Sequence, residues 1–246
     1  MLRLEKRLLE YAEKNILLLQ LLLVSAIALF IRRLPIWWNP EDIGAYFDFH
    51  ANNTQSGLYE LLVGAVQYLP LLPVHTVKWL AALGDFLTAA FCLLLVRRAD
   101  ASNRLRQVFC YTMCLFSPLV FLRGVAWAQL DSVATAFFLL GWLLWDSGRK
   151  VPALCAALLS VSLYPCMLVF VIGFACRNWK NAAESGERRR TLIGLAGVAA
   201  GQLLIGGILA LLLGRSFTDG IQSCFAWLLY EPVTGQRFAS LLSCIT

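Results

Sequence analysis

The sequence predicts an all-α fold: a polytopic transmembrane helical bundle of about seven membrane helices, including a proline-broken helix pair, with a long outer first loop carrying interfacial helices. Three observations predict it. The chain is 59% hydrophobic and only 15% charged over 246 residues, against roughly 45–50% and 25% in soluble domains. Its apolar residues gather in runs at 16–31, 75–96, 107–122, 132–146, 151–176 and 191–213. Short basic stretches separate those runs. This composition excludes a soluble enzyme, a disordered tail and a disulfide-stapled secreted module. The net charge of +6 would suggest nucleic acid in a soluble domain, but its distribution here reports topology and predicts no nucleic-acid partner.

Taken in order, residues 1–246 read as one transmembrane domain. Residues 1–15 form a cytoplasmic amphipathic segment with Arg3, Lys6, Arg7 and Lys14. The run 16–31 ends in Arg32-Arg33 rather than at a small-residue cleavage site, so it reads as a retained span and not a signal peptide. Arg97, Arg98, Arg104 and Arg106 follow the second run; Arg149 and Lys150 follow the fourth; Arg177, Lys180, Arg188, Arg189 and Arg190 follow the fifth. One threading places all 15 of these, out of 21 basic residues, in the cytoplasm, as the positive-inside rule requires.

That threading makes two demands. The stretch Leu58–Val74, with Glu60, Gln67, Pro70 and Pro73, must lie at the interface or re-enter rather than cross. The run 151–176 must enter and return on one side, broken at Tyr164-Pro165, because proline removes a backbone donor and pushes the preceding residue toward extended geometry. The outer face then receives the loop 32–76, the turn 123–131 and the tail 214–246. These carry Glu41, Asp42, Asp48, Glu60, Asp131, Asp219 and Glu231, seven of the 15 acidic residues. Polar chemistry is expected outside.

Within the outer loop, Asn39-Pro40-Glu41-Asp42 looks like a helix start, with Tyr46, Phe47, Asp48, Phe49 and His50 following. Glu41 and Asp42 then either complement a helix dipole or supply chemistry. In Arg123-Gly124-Val125-Ala126-Trp127-Ala128-Gln129-Leu130-Asp131-Ser132, Arg123, Trp127 and Asp131 would share one face if the segment were helical. The plainer alternative has Asp131 capping the next helix and Trp127 in an aromatic belt. Asp85 falls near the middle of its run, where an ionisable residue normally faces the bundle interior with a partner. Asn52-Asn53-Thr54 matches a glycosylation acceptor on the expected outer side. Of the eight cysteines, Cys110 and Cys114 are four apart and read as small buried apolar groups. Neither His50 nor His75 has a metal-ligand partner at useful spacing, so the sequence predicts no protein-held metal site.

This arrangement resembles the polytopic glycosyltransferases of the GT-C superfamily, particularly bacterial mannosyltransferase-like members that use polyprenyl-phosphate sugars. The resemblance covers about residues 16–215 and rests on Asp42 followed by Tyr46 and Phe47, on the segment from His75 through Lys78 to Asp85, and on the turn Trp127-Ala128-Gln129-Leu130-Asp131-Ser132. The break at Tyr164-Pro165 is similar to the short helix pair that follows this turn in the family. Three departures stand out. Ala128 replaces the usual glycine, no lysine precedes Pro165, and Thr246 comes earlier than the end of typical members. The last implies further spans, supplied by more of the chain or by a partner chain.

The resemblance implies inverting transfer of a sugar from a polyprenyl-phosphate carrier to a glycan, lipid or protein acceptor on the extracytoplasmic face of a bacterial plasma membrane. A carboxylate would deprotonate the acceptor hydroxyl as the phosphate departs. Asp42 is the expected base, with Glu41 and Asp48 as substitutes. Arg123, Arg33 or Arg32 would hold the phosphate, and Trp127, Gln129 and Asp131 would shape the cavity. Whether a divalent cation assists is left open. Two other classes remain: a transporter or flippase-like subunit with Asp85 and Pro165 on a central pathway, and a non-catalytic membrane partner.

Overall fold

A computed structural model describes residues 15–37, 57–66, 68, 73–126, 128–181 and 185–225. The helices are α1 (Ile16–Trp37), α2 (Gly57–Val66), α3 (Pro73–Ala99), α4 (Arg104–Phe116), α5 (Pro118–Phe121), α6 (Asp131–Asp146), α7 (Lys150–Leu163), α8 (Met167–Asn181), α9 (Ser185–Leu212) and α10 (Phe217–Phe225). A single π-helical turn, Leu122–Ala126, continues α5.

Every apolar run of the sequence is helical, but two of them are cut. Ser117-Pro118 separates α4 from α5 because proline cannot donate into the preceding helix. Tyr164, at φ −143° and ψ 97°, closes α7 in the extended geometry that a following proline favours. Among the described residues, three helices are long and apolar enough to cross a membrane: Ile16–Trp37, Val74–Ala99 and Gly186–Leu212. Arg104–Phe116 and Pro118–Ala126, bent by 41°, make a fourth if taken as one span. The remaining apolar helices α6, α7 and α8 have 16, 14 and 15 residues and fall short of the roughly 20 that a crossing needs. The chain is an integral membrane protein by these helices.

Small residues and short polar side chains hold the bundle together, as expected where lipid removes the usual hydrophobic drive between helices. Gly84 of α3 lies so close to α6 that a Cβ there would sit 2.7 Å from the Val133 amide nitrogen. Ser132 Oγ donates to Ala81 O at 3.0 Å, and Thr88 Oγ1 donates to Ser132 O at 2.9 Å. Ser160 Oγ ties α7 to Ala134 O of α6 at 2.7 Å. Ser162 donates to Gln202 at 2.7 Å and so joins α7 to α9. Around these contacts Ala134, Val161, Leu163, Met167, Val171 and Val198 form a closed apolar core. The outer surfaces are apolar as well: Leu23, Phe30 and Leu34 on α1 and Leu192 and Ile193 on α9 are exposed, the pattern of helices turned to lipid.

Connections follow the local chemistry. Asn103 caps α4 by accepting from the Arg106 amide. The tight turns after α6 and α9 are Schellman closures. Gly148 and Gly214 take φ +79° and +74°, while Arg149 N donates to Leu144 O and Arg215 N donates to Ala210 O.

One boundary differs from the sequence expectation. The first helix does not end at Ile31 but continues through Arg32, Arg33 and Pro35 to Trp37. The reason is a partner: Arg32 is 1% exposed and is bound from within the bundle rather than facing an outer loop. The third helix likewise begins at Pro73, so both ends of the expected 32–76 loop are helical.

Candidate functional site

The polar residues at one end of the bundle lie in two layers. The deeper one is built on Asp85, which is 1% exposed in the middle of α3. Arg32 Nε and Nη2 both donate to Asp85 Oδ2, at 3.1 and 3.0 Å. Arg32 Nη2 also donates to Leu115 O at 2.8 Å, and the guanidinium lies 5.5 Å from the Phe86 ring centre and 5.7 Å from that of Phe121. A cation this well surrounded is held by α1, α3, α4 and α5 together. Asp85 therefore has the interior partner that its position demanded. Arg32 is committed to that pair and is not an outer phosphate ligand.

Toward the end of α1, two more residues of the same α3 face close its last carbonyls. Lys78 Nζ donates to Pro35 O at 2.8 Å, and His75 Nδ1 lies 2.8 Å from Ile36 O. The last carbonyls of a helix lack intrahelical donors and carry partial negative charge, so a lysine is well placed there. Trp37 stacks at a tilt on His75, with ring centres 5.0 Å apart.

The upper layer is the turn between α5 and α6. Arg123 stands on the π-helical turn, and the next residue, Gly124, rests directly on the buried pair. A Cβ on Gly124 would lie 3.2 Å from Asp85 Oδ1. That same oxygen has no hydrogen-bond partner among the described residues. Arg123 Nη2 pairs with Asp131 Oδ2 at 3.3 Å, and Arg123 Nε donates to Gln129 Oε1 at 2.8 Å. The backbone closes the same loop, with Gln129 N donating to Arg123 O at 3.0 Å.

The segment is not one continuous helix. Ala128 takes φ +55°, a left-handed conformation that costs an alanine about 1–2 kcal/mol relative to the right-handed region. Asp131 is not the helix cap either. Leu130 occupies that position without a side-chain bond, and Asp131 begins the first turn, where its charge suits the helix dipole.

The break between α7 and α8 completes this layer. Tyr164 and Cys166 come beside Arg123 and Asp131 at that break. Of the Arg123 side chain, 46% is exposed. The arrangement offers a braced guanidinium beside a phenol, suited to binding an anion.

Of the residues that the sequence proposed, Arg123, Gln129 and Asp131 come together. Arg33 is exposed on α1, and no hydrogen bond or ion pair among the described residues joins it to that cluster. Asp42, Glu41, Asp48 and Trp127 lie outside the described residues. Sequence reasoning did not assign Tyr164 and Cys166 to the Arg123 cluster, although the signal was present in the proline break that turns the chain back beside Asp131. Among the described residues no group of three or more His, Cys, Asp or Glu could hold a metal ion. Comparison with known proteins returns no matching family model, curated protein or solved structure.

Proposed function

We propose that the chain is a GT-C type membrane glycosyltransferase, moving a sugar with inversion from a polyprenyl-phosphate carrier to a glycan, lipid or protein acceptor. In this reading the Arg123 end of the bundle is extracytoplasmic. The basic ends of α3, α6, α8 and α9 face the cytoplasm, and α6 with the α7–α8 pair brings the number of membrane helices to about seven. The observation that carries the proposal is the guanidinium of Arg123, braced by Asp131 at 3.3 Å and Gln129 at 2.8 Å yet half-open to its surroundings.

Arginine offers a planar fork of donors to phosphate oxygens, and bracing by two acceptors fixes its direction without neutralising it fully. Arg123 would hold the departing carrier phosphate. Asp131 and Gln129 would set its orientation, and Asp42 of the first outer loop would take the acceptor proton, with Glu41 and Asp48 as the nearest substitutes. A transport pathway through the bundle is disfavoured by the same geometry, because Asp85 is closed off by Arg32 at 3.0 Å.

The test is transfer from a radiolabelled polyprenyl-phosphate sugar by membranes containing the full chain. Arg123→Gln and Asp42→Asn should each abolish transfer while membrane insertion and expression stay normal. Wild-type rates in either variant would remove that residue from the mechanism. Absence of transfer by the wild-type chain across a panel of carrier sugars and acceptors would remove the reading.

A further inference from the structure

A second site lies at the opposite, basic end of the bundle, far from Arg123. A narrow apolar slot runs between α6, α8 and the adjoining faces of α7 and α9, with Phe138, Trp142, Trp145 and Phe174 as its aromatic walls. Trp142 and Phe174 are tilted rings with centres 5.1 Å apart, and Trp145 meets Phe174 edge-on at 6.2 Å.

Two cations sit on these walls. The Arg177 guanidinium lies 4.8 Å from the Trp142 ring centre, and Lys150 Nζ lies 4.1 Å from that of Trp145. Both cationic side chains are exposed. The amide nitrogen of Asn178, which also lines the slot, is buried and has no hydrogen-bond partner among the described residues. Asp146, at the end of α6, accepts from Trp142 Nε1 at 2.9 Å.

We propose that this slot binds a phospholipid with an anionic headgroup, one acyl chain lying along the aromatic walls and the phosphate between Arg177 and Lys150, within reach of the Asn178 amide. Apolar walls suit a chain, and two exposed cations on those walls suit an anion. A basic pocket between membrane helices fits both with an acidic lipid. The tryptophans, whose rings are at home at the headgroup boundary, set the depth. This inference needs only that the chain lies in a membrane, so it stands or falls apart from sugar transfer.

The full chain is reconstituted in phosphatidylcholine vesicles carrying, at equal mole fraction, a phosphatidylglycerol or a phosphatidylcholine brominated on its acyl chains. Bromine quenches only indoles in contact with it. The chain has eight tryptophans, so the signal of this site is the part lost in Trp142→Phe/Trp145→Phe. That part should show a roughly 30-fold preference for phosphatidylglycerol, the product of the about fivefold that each basic residue contributes. Arg177→Gln/Lys150→Gln should remove most of the preference while leaving elution and helicity unchanged. Equal quenching by the two lipids at these indoles overturns the proposal without need of any charge variant. A preference that survives Arg177→Gln/Lys150→Gln overturns it too, since it would then come from the general basic surface.

Discussion

The pair between Arg32 and Asp85 makes the sharpest test of how this bundle is held. Asp85→Ala leaves a guanidinium that is 1% exposed without its carboxylate, and removing one partner of a buried pair costs about 3–5 kcal/mol. Here the lower end applies. Arg32 keeps the Leu115 carbonyl at 2.8 Å and two aromatic rings within 6 Å, at 5.5 and 5.7 Å, and each such ring contributes about 0.5–2 kcal/mol to a desolvated cation. Arg32→Met should cost a similar amount, because it strips Asp85 Oδ2 of both guanidinium donors. The double variant Arg32→Met/Asp85→Leu should return to within about 1–2 kcal/mol of wild type, since apolar replacement of a whole buried pair is often neutral or better. The coupling energy is then about 4–5 kcal/mol, measured as a double-mutant cycle on reversible unfolding in mixed detergent micelles. Single effects that simply add, with coupling below about 0.5 kcal/mol, would refute the view that these two residues act as one buried unit.

Three further outcomes follow from the packing. Gly84→Ala puts a methyl 2.7 Å from the Val133 amide nitrogen and 2.8 Å from Ser132 Oγ, so α3 and α6 must separate. The expected loss of about 1–3 kcal/mol is read from the midpoint of thermal inactivation in detergent, against Gly64→Ala, where no atom lies within 4 Å. Tyr111→Phe removes the 2.8 Å bond to Ser25 and should cost about 0.6 kcal/mol, the average for interhelical bonds in a membrane protein, in the same assay. Asp219 Oδ2 accepts from the Ser216 amide at 3.1 Å, and these Ser216 bonds hold its carboxyl below the usual range. The folded value lies below the unfolded one, so this contribution to the start of α10 is present above the unfolded value and is lost as pH falls through the folded one. The Ser216 amide resonance should titrate with that carboxyl and cease to do so in Asp219→Asn.

Much of this architecture was readable from residue order, and the failures share a cause. The cut at Tyr164-Pro165 was legible because proline acts on its immediate neighbour, and the α7–α8 break falls there. Asp85 was read as needing an interior partner, which it has. The identity of that partner was hidden, since 53 positions separate Arg32 from Asp85 and no periodicity links residues on different helices. The same blindness ended the first helix too early. Two arginines and a proline look like a terminus until one of the arginines is seen to be buried. In the turn carrying Arg123, a helical segment would have placed Arg123 and Asp131 on one face, and the plainer alternative made Asp131 a helix cap. The two do meet, but through a π turn and a left-handed Ala128. Ala128 takes a left-handed shape that glycine adopts more readily.

The buried pair also imposes an order on biogenesis. Arg32 leaves the ribosome 53 residues ahead of Asp85, a delay of about 3–10 s at ordinary elongation rates of roughly 5–20 residues per second. Throughout that interval the newborn first helix carries an uncompensated cation that hydrocarbon rejects, so it must wait at the interface or in the insertion machinery. Emergence of the third helix supplies the missing anion and releases the first to slide into place, which makes assembly of this end of the protein a post-insertion event.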